Sequence, residues 1–322
     1  MAVERQTRSY LMQLFQEHGF NPRHDLGQNF LIDLNIIDLV ARRAQLGPDD
    51  VVLEVGAGTG SLTTTLASQA AHVVSVEYDP NMHMLASKAV RTFNNVTLIN
   101  TDALKNKNHL HPLVLESLET ALAARPGRTL KLVANLPYNI GTAVISNLIA
   151  TGLPWSMMVV TIQYELALRM QAAPSSNDYG SLSVWLQAQA DVELVRKVGP
   201  NVFWPRPNVD SAVVSIRLNE ELRSKIDDRT FFHELLRHLF NHRRKAIRGV
   251  LAVYDDILTK PEVDRLLGEL QIPGTTRAEQ LAPAALVRLS NHVKARLHEL
   301  RPTPPAQSPS ADGNDASALP SP

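Results

Sequence analysis

Short apolar segments alternate with helical patterns between residues 49 and 170, and this alternation limits the possible folds more than any other feature of the sequence. The apolar segments predict strands over residues 51–55, 73–76, 96–99, 130–134 and 157–162. The helical patterns cover residues 61–70, 82–93 and 143–150, and a further one runs through Arg169. Buried, β-branched strands in such alternation favour an α/β fold with a doubly wound, mostly parallel sheet.

The chain beyond this alternation is expected to complete the sheet and to add a second domain. Strands over 192–198 and 212–218 are predicted to close the sheet in antiparallel fashion, and the pattern after them is helical. We therefore predict an α/β domain over 1–219 with an N-terminal helix closed by Gly19, a small helical domain over 220–300, and a disordered Pro-rich tail over 301–322.

Composition excludes several classes of site. The chain has no Cys, which rules out a disulfide framework, a zinc–thiolate site and a cysteine nucleophile, and no metal site is predicted. No apolar run is long enough to span a membrane, and the N-terminus does not read as a secretion signal. A cytoplasmic monomer is expected, since a Cys-free chain fits a reducing compartment and nothing indicates an obligate oligomer. Net charge is zero, so any nucleic-acid contact must come from local clustering.

A glycine turn follows the first predicted strand, in Gly56-Ala57-Gly58-Thr59-Gly60. Glycines let the backbone approach a ligand closely, and the start of the next helix offers free N–H groups. A dinucleotide fingerprint needs Gly or Ala three residues after the second glycine, where this chain has Ser61. The spacing is that of methyltransferases and makes Gly56 and Gly58 candidate cofactor-binding residues, with a tight strand–helix connection as the alternative.

Acidic residues end the next two predicted strands. Glu77 follows the second strand, where a carboxylate can accept hydrogen bonds from both ribose hydroxyls of a nucleoside. Asp102 follows the third strand, where a carboxylate suits the amino group of a bound adenine. Because ligands bind at the carboxyl ends of parallel strands, both are candidate cofactor-binding residues, although either could be a solvated carboxylate.

The fourth predicted strand ends in Asn135-Leu136-Pro137-Tyr138, the most specific motif of the chain. An aromatic amine is a poor nucleophile because its lone pair is delocalised into the ring. The Asn135 side-chain oxygen and the Leu136 carbonyl could accept both amine hydrogens and stabilise the positive charge that develops on nitrogen. Tyr138 offers a flat face on which a base can stack. Phe203 could stack on the other face, or it could be a core aromatic.

A basic segment lies between residues 237 and 248, with five Arg or Lys residues and no acid. Apolar residues at helical spacing predict that this segment is one helix with a basic edge, which fits local phosphate binding. A solvated helix face is the alternative reading. The candidate RNA-contacting residues are Arg243, Arg244, Lys245 and Arg248.

These motifs together resemble those of the ribosomal RNA adenine dimethyltransferase family, the KsgA type of bacteria. The resemblance runs from about His24 to Asn291. Besides the motifs above, it rests on Leu26-Gly27-Gln28-Asn29-Phe30-Leu31-Ile32-Asp33, Gln163-Tyr164-Glu165, Tyr179-Gly180-Ser181-Leu182-Ser183-Val184, Phe203 to Ser211, Phe240-Asn241-His242-Arg243-Arg244-Lys245 and Arg277-Ala278-Glu279-Gln280-Leu281.

The resemblance implies a Rossmann-like methyltransferase domain with a small C-terminal helical domain and S-adenosylmethionine as cofactor. It implies that the small ribosomal subunit is the partner, and that two adjacent adenines in the terminal hairpin of its RNA are each methylated twice during subunit biogenesis. By analogy the residues take these roles: Asn29 and Leu31 at the methionine end of the cofactor, Gly56 beneath it, Glu77 on the ribose, Asp102 on the adenine, Asn135 on cofactor and target amine, and Tyr138 and Phe203 around the target base.

The sequence also departs from the family. Arg23-His24-Asp25 is less basic than expected before the Gly-Gln-Asn-Phe-Leu string, the stretch 105–128 is longer than expected, and the Pro-rich tail is extra. Three alternatives stay open. One is an amino methyltransferase that acts on DNA adenine or protein glutamine, against which Leu136 argues. The others are a large-subunit rRNA methyltransferase of the antibiotic-resistance type and a ribosome assembly factor with dispensable catalysis.

Overall fold

A seven-stranded sheet forms the centre of the chain in the computed structural model, which describes residues 6–23 and 26–301. Its strand order is β4-β3-β2-β7-β8-β11-β9. The strands of the molecule are β1 Phe30–Leu31, β2 Asp50–Val55, β3 His72–Glu77, β4 Val96–Asn100, β5 Leu104–Asn106, β6 His109–Leu110, β7 Thr129–Asn135, β8 Trp155–Gln163, β9 Ala190–Val198, β10 Phe203–Trp204 and β11 Ser211–Leu218.

The α-helices cover both faces of the sheet and make up the C-terminal part. They are α1 Arg8–His18, α2 Leu34–Arg43, α3 Ser61–Ala67, α4 Pro80–Val90, α5 Pro112–Ala123, α6 Gly141–Ala150, α7 Tyr164–Met170, α8 Ser181–Gln187, α9 Glu220–Arg223, α10 Arg229–Asn241, α11 Ile247–Leu251, α12 Lys260–Glu269 and α13 Pro283–Leu300. Within the described part of the chain, none of them is long and apolar enough to cross a membrane.

The sheet confirms the predicted α/β class and its mixed topology. Strands β4, β3, β2, β7 and β8 run parallel, whereas β11 pairs antiparallel with both β8 and β9. Every residue of β2 is buried, as expected for a strand covered on both faces. The predicted N-terminal helix is also confirmed, and it ends at Gly19 in the left-handed conformation (φ 65°).

The C-terminal helices share a hydrophobic core with one face of the sheet. Trp185 on α8 contacts Phe232 on α10, with ring centroids 6.0 Å apart. Both rings belong to the same buried cluster as strand residues such as Leu53 and Val160. The predicted division at residue 219 therefore coincides with the start of α9 at Glu220 but not with a break in the core.

Several elements differ from the sequence prediction. The long stretch after the third strand folds into a small hairpin, β5–β6, and helix α5, and helices α2 and α8 were likewise not predicted. The prediction of a single basic helix over 237–248 is wrong, because α10 ends at Asn241 and α11 begins only at Ile247. The Ile247 N–H donates to the Thr276 carbonyl (2.8 Å), so pairing with a neighbouring loop turns the backbone here. Residues 302–322 of the tail predicted over 301–322, and His24 and Asp25 of the departure at Arg23-His24-Asp25, lie outside the described residues.

Candidate functional site

The carboxyl ends of β2, β3, β4 and β7 open into a cleft of about 280 Å³. Loops after these strands form its floor, and the segment that precedes β1 forms one wall. The lining residues are Leu26, Gly27, Gln28, Asn29, Phe30, Val55, Gly56, Gly58, Val76, Glu77, Tyr78, Thr101, Asp102, Ala103, Asn135, Leu136, Pro137, Tyr138, Asn139 and Ile140. Six of the predicted cofactor-binding residues, all but Leu31, thus meet at one site.

Gly56 and Gly58, the two glycines of the turn that line the cleft, form a cradle with little room for a side chain. Gly56 has φ 87°, and a Cβ there would lie 3.3 Å from Cδ of Pro137. Gly58 has φ 55°, and a Cβ there would lie 3.2 Å from the Phe30 ring. Both φ angles fall in the left-handed region that glycine adopts without strain. A side chain at either position would be strained and would crowd its neighbour, so both positions favour glycine, and the backbone of the turn lines the cleft.

Glu77 is held at the end of β3 by two backbone donors. The Gly58 N–H donates to Oε2 (2.8 Å) and the Asp79 N–H donates to Oε1 (2.9 Å). The side chain is buried, and burial raises the pKa of Glu77 from 4.5 to about 6 although both hydrogen bonds lower it. Each carboxylate oxygen keeps a further lone pair, so the fixed carboxylate can still accept from two neighbouring ligand hydroxyls.

Asp102 and Tyr78 also line the cleft. Asp102 is exposed, and its Oδ1 accepts from the Leu104 N–H (2.9 Å), which fixes the carboxylate at the end of β4. Tyr78 is 58% exposed and gives the cleft a flat aromatic surface next to Glu77. Tyr78 was not among the predicted site residues, although its position directly after the strand-end acid was a usable signal.

Asn135 presents an unused acceptor to the cleft. Its Nδ2 donates to the Asn29 carbonyl (3.0 Å), which sets the orientation of the amide. Its Oδ1 is buried and has no hydrogen-bond partner among the described residues. A buried acceptor without a partner costs free energy, and such an atom inside a cleft indicates that a ligand supplies the missing donor.

The residues after Asn135 are fixed by the neighbouring strands. The Leu136 N–H donates to the Thr161 carbonyl on β8 (3.1 Å). The Tyr138 hydroxyl and the Ser211 Oγ are hydrogen-bonded at 2.6 Å, and burial raises the pKa of Tyr138. The Tyr138 ring is thereby anchored at its far end while it lines the cleft.

Leu31 and Phe203 do not lie in the cleft. They face each other in the two-stranded ribbon β1–β10 and are 9% and 3% exposed. Both pack in a hydrophobic cluster with Val198 and Val213. Of the two alternatives considered for Phe203, the structure shows the core aromatic. Its role in stacking on a base stays a prediction.

Gln28 is a further site residue without a predicted role. Its Nε2 donates to Oδ2 of Asp79 (2.9 Å), and its Oε1 accepts from the Arg23 N–H (2.8 Å). Gln28 thus ties the wall of the cleft to the residue whose N–H holds Glu77. Its place beside Asn29 in the Gly-Gln-Asn-Phe-Leu string was the available signal.

The four basic candidates fall into two pairs. Arg243 donates to the Asn177 and Tyr179 carbonyls (3.2 and 3.3 Å), and Arg248 is paired with Asp264, with Nη2 and Oδ2 2.6 Å apart. Arg244 and Lys245 are exposed in the turn between α10 and α11 and make no ion pair within residues 6–23 and 26–301. The second pair is therefore the one available for phosphate.

Comparison with known proteins identifies relatives over nearly the whole chain. The family model described as ribosomal RNA adenine dimethylase matches residues 19–294. A Lachnoclostridium phytofermentans protein named ribosomal RNA small subunit methyltransferase A is 35% identical over 89% of this chain and 96% of its own length. A protein of the same name from Pediococcus pentosaceus is 36% identical over 87% and 93%, respectively.

Two solved structures share the fold. A dimethyladenosine transferase from Plasmodium falciparum superposes with a TM-score of 0.66 at 23% identity, over 83% of this chain and 97% of that one. The 23S rRNA methyltransferase ErmE superposes with a TM-score of 0.55 at 24% identity, over 83% and 100%. The sheet, its antiparallel closing strands and the helical C-terminal part are thus those of a known class of proteins.

Proposed function

The chain belongs to the ribosomal RNA adenine dimethylase family, and from that premise we propose that it dimethylates two adjacent adenines in the terminal hairpin of small-subunit rRNA during subunit biogenesis. The enzyme is an S-adenosylmethionine-dependent rRNA (adenine-N6,N6)-dimethyltransferase. The observation that carries the proposal is the unpartnered Oδ1 of Asn135 in a cleft bordered by a glycine turn and two strand-end carboxylates.

The residues of the cleft fit the cofactor. S-adenosylmethionine supplies a methyl group made electrophilic by its positive sulfur. We assign Glu77 to the ribose hydroxyls and Asp102 to the adenine amine, since both carboxylates are fixed by backbone N–H groups and line the cleft. The crowded glycine cradle at Gly56 and Gly58 suits close contact with the backbone. Asn29 would contact the methionine end, and Leu31 would support it from the core.

The chemistry assigned to this chain is the activation of an aromatic amine. The Asn135 Oδ1 and the Leu136 carbonyl would accept the two hydrogens of the adenine amine. This arrangement favours a tetrahedral nitrogen, frees its lone pair, and stabilises the positive charge that develops during transfer. Nothing here requires a general base, because the methylated nitrogen loses its proton readily. Most of the rate increase would therefore come from positioning the nucleophile.

Recognition of the target base is assigned to Tyr138. Its ring lines the cleft two residues beyond the Leu136 carbonyl, and the hydrogen bond with Ser211 holds the phenol in one orientation. A flipped adenine stacked on this ring would present its amine edge toward Asn135. Phe203 could cover the second face of the base only after a local rearrangement, since it is buried between strands.

RNA contact outside the cleft is assigned to the turn between α10 and α11. Arg244 and Lys245 are exposed there and are the two basic candidates without an ion pair in the part that the structure describes. Arg243 and Arg248, also candidates, first serve to hold neighbouring segments. We propose that residues 220–300 act as the RNA-binding part, and that binding depends on salt as phosphate contacts do.

The small subunit is proposed as the partner over the large one because of the relatives' names. Proteins 35–36% identical over 93–96% of their own length are named as small-subunit enzymes. The large-subunit enzyme ErmE supports the fold alone at 24% identity. A ribosomal substrate also favours the cytoplasm, and we propose that the protein acts there as a monomer.

Methyl transfer from labelled S-adenosylmethionine to unmethylated small and large subunits, offered separately, tests the proposal. Dimethyladenosine on the small subunit alone is the expected result. Label on the large subunit would keep the mechanism but reject the substrate. If small subunits are bound but no label is transferred to either subunit, the chain acts as an assembly factor, and Glu77→Ala would then leave that binding unchanged.

A further inference from the structure

We propose that Gln6 and helix α1 form a strap that fixes the glycine turn and thereby sets the affinity for the cofactor, an inference that rests on the proposed function. Gln6 lies just before α1 and is 5% exposed. Its Nε2 donates to the Thr59 carbonyl (3.0 Å), and its Oε1 accepts from the Thr59 hydroxyl. A single side-chain amide thus binds both the carbonyl and the hydroxyl of the residue between Gly58 and Gly60.

Helix α1 also supports the preceding residue of the turn. Its Phe15 ring contacts Phe30 and Trp204, with centroids 5.4 and 5.1 Å apart in edge-to-face geometry. Phe30 is the ring that a Cβ on Gly58 would touch at 3.2 Å. The helix therefore reaches Gly58 through an aromatic pair and Thr59 through Gln6.

The strap matters because a glycine turn has little rigidity of its own. The Gly58 N–H must point at Glu77 to hold the carboxylate that is assigned to the ribose (2.8 Å). When the turn moves freely, binding must also order it, and the affinity falls by the cost of that ordering. Gln6 reduces this cost by fixing Thr59 before the cofactor arrives.

The position of Gln6 separates this role from the stability of the helix. The buried contacts of α1 come from Leu11 and Phe15, which are 1% and 2% exposed. The helix is capped by the Thr7 side chain, which accepts from the Tyr10 N–H. Removal of the Gln6 amide therefore leaves α1 docked while it frees the turn.

The test compares Gln6→Ala with Gln13→Ala. Gln13 lies on α1, but its amide is exposed and donates to Glu17 (2.8 Å) and not to the turn. Titration calorimetry with S-adenosylhomocysteine should show a Kd about tenfold higher for Gln6→Ala, the scale of two lost hydrogen bonds. Gln13→Ala should bind as the wild type does. KM for S-adenosylmethionine should rise by the same factor while kcat at saturation stays within about twofold.

Two further measurements make the proposal refutable. Amide hydrogen exchange at residues 58–60 should accelerate in Gln6→Ala and not in Gln13→Ala. Thr59→Ser, which keeps the hydroxyl, should retain the affinity that Thr59→Ala loses. An unchanged Kd in Gln6→Ala, or equal losses in both glutamine variants, would overturn the strap. A wild-type protein that does not bind S-adenosylhomocysteine would instead refute the proposed function.

Discussion

Replacing Asn135 by Ala should separate catalysis from stability. In the folded protein the Asn135 Oδ1 is buried without a partner among the described residues, whereas the Nδ2 makes one hydrogen bond to the Asn29 carbonyl. The orphaned oxygen costs about 1–3 kcal/mol and the hydrogen bond contributes about 1 kcal/mol. Truncation removes both contributions, so the free energy of unfolding should stay constant or rise slightly. A polar group whose removal stabilises the folded protein is typical of a residue retained for function.

The same change should lower kcat strongly. During transfer the Oδ1 would accept a hydrogen from a nitrogen that becomes positive, and the amide is already oriented for this by Asn29. Loss of one preorganised group of this kind costs about 2.7–4 kcal/mol in the transition state, a factor of about 10²–10³ in kcat. The hydrogen bond between Nδ2 and Asn29 also helps to shape the cofactor wall, so a smaller rise in Kd for the cofactor should accompany the loss.

Single-turnover methylation of small subunits and thermal unfolding together measure both effects. Asn147→Ala is the matched control, since Asn147 is another buried asparagine whose amide donates to a backbone carbonyl, that of Lys107, outside the cleft. That control should keep kcat within a few-fold of the wild type. An Asn135→Ala enzyme with near-normal kcat, or one that simply unfolds, would refute the role given to the orphaned oxygen.

Two further predictions concern the cradle and the RNA contact. Gly56→Ala should destabilise the protein by about 1–2 kcal/mol through left-handed strain and should weaken S-adenosylhomocysteine binding. Gly127→Ala, also at positive φ (85°) but with no atom of the described residues within 4 Å of the new Cβ, should cost similar stability in thermal unfolding without changing the Kd. Arg244→Glu with Lys245→Glu should weaken RNA binding and flatten its salt dependence, whereas Arg243→Ala should mainly lower the Tm. An unchanged salt slope in filter binding would exclude the α10–α11 turn from the RNA interface.

The site was largely predictable from the sequence because its geometry follows from topology. Parallel strands place their carboxyl ends at one edge of the sheet, so Gly56, Glu77, Asp102 and Asn135 had to meet once the four strands were identified. Local patterns were sufficient for this, since each of these residues lies within three positions of the end of a predominantly apolar segment. The same logic applies to Tyr78, which directly follows Glu77 at the end of β3 and also lines the cleft.

Features that depend on long-range pairing were not predictable. The basic segment has helical spacing throughout, but pairing of Ala246 with Arg277 breaks the helix at a point that no local signal marks. Phe203 lies among prolines, a setting that favours a loop, yet its pairing with Leu31 buries it in the core. Hairpin β5–β6 and helix α5 occupy a stretch for which the family resemblance gave no expectation.

The pH dependence of cofactor binding provides a test of Glu77. Burial raises the pKa of Glu77 to about 6, which means that ionisation is harder in the folded protein than in the unfolded chain. Ionisation of Glu77 therefore destabilises the folded protein. The free energy of unfolding falls as the pH rises from 4.5 to about 6 and stays lower above pH 6. Ribose hydroxyls that donate to the carboxylate would favour ionisation, so binding should lower the pKa of Glu77 and weaken as the pH falls through about 6.

With a pKa near 6, about one tenth of Glu77 is ionised at pH 5, so the Kd for S-adenosylhomocysteine should be about tenfold higher at pH 5 than at pH 7.5. Glu77→Gln should bind weakly, because its NH₂ group cannot accept a hydrogen bond in the place where the carboxylate accepts from the Gly58 or the Asp79 N–H. Its affinity should not change with pH, because an amide does not titrate in this range. Glu54 is also buried, with a pKa raised to about 7, and can titrate in the same range. Since Glu54 does not line the cleft, Glu54→Gln should keep the pH dependence of the wild type. Equal affinity of the wild type at pH 5 and pH 7.5 would show that the ribose is not held by an ionised Glu77.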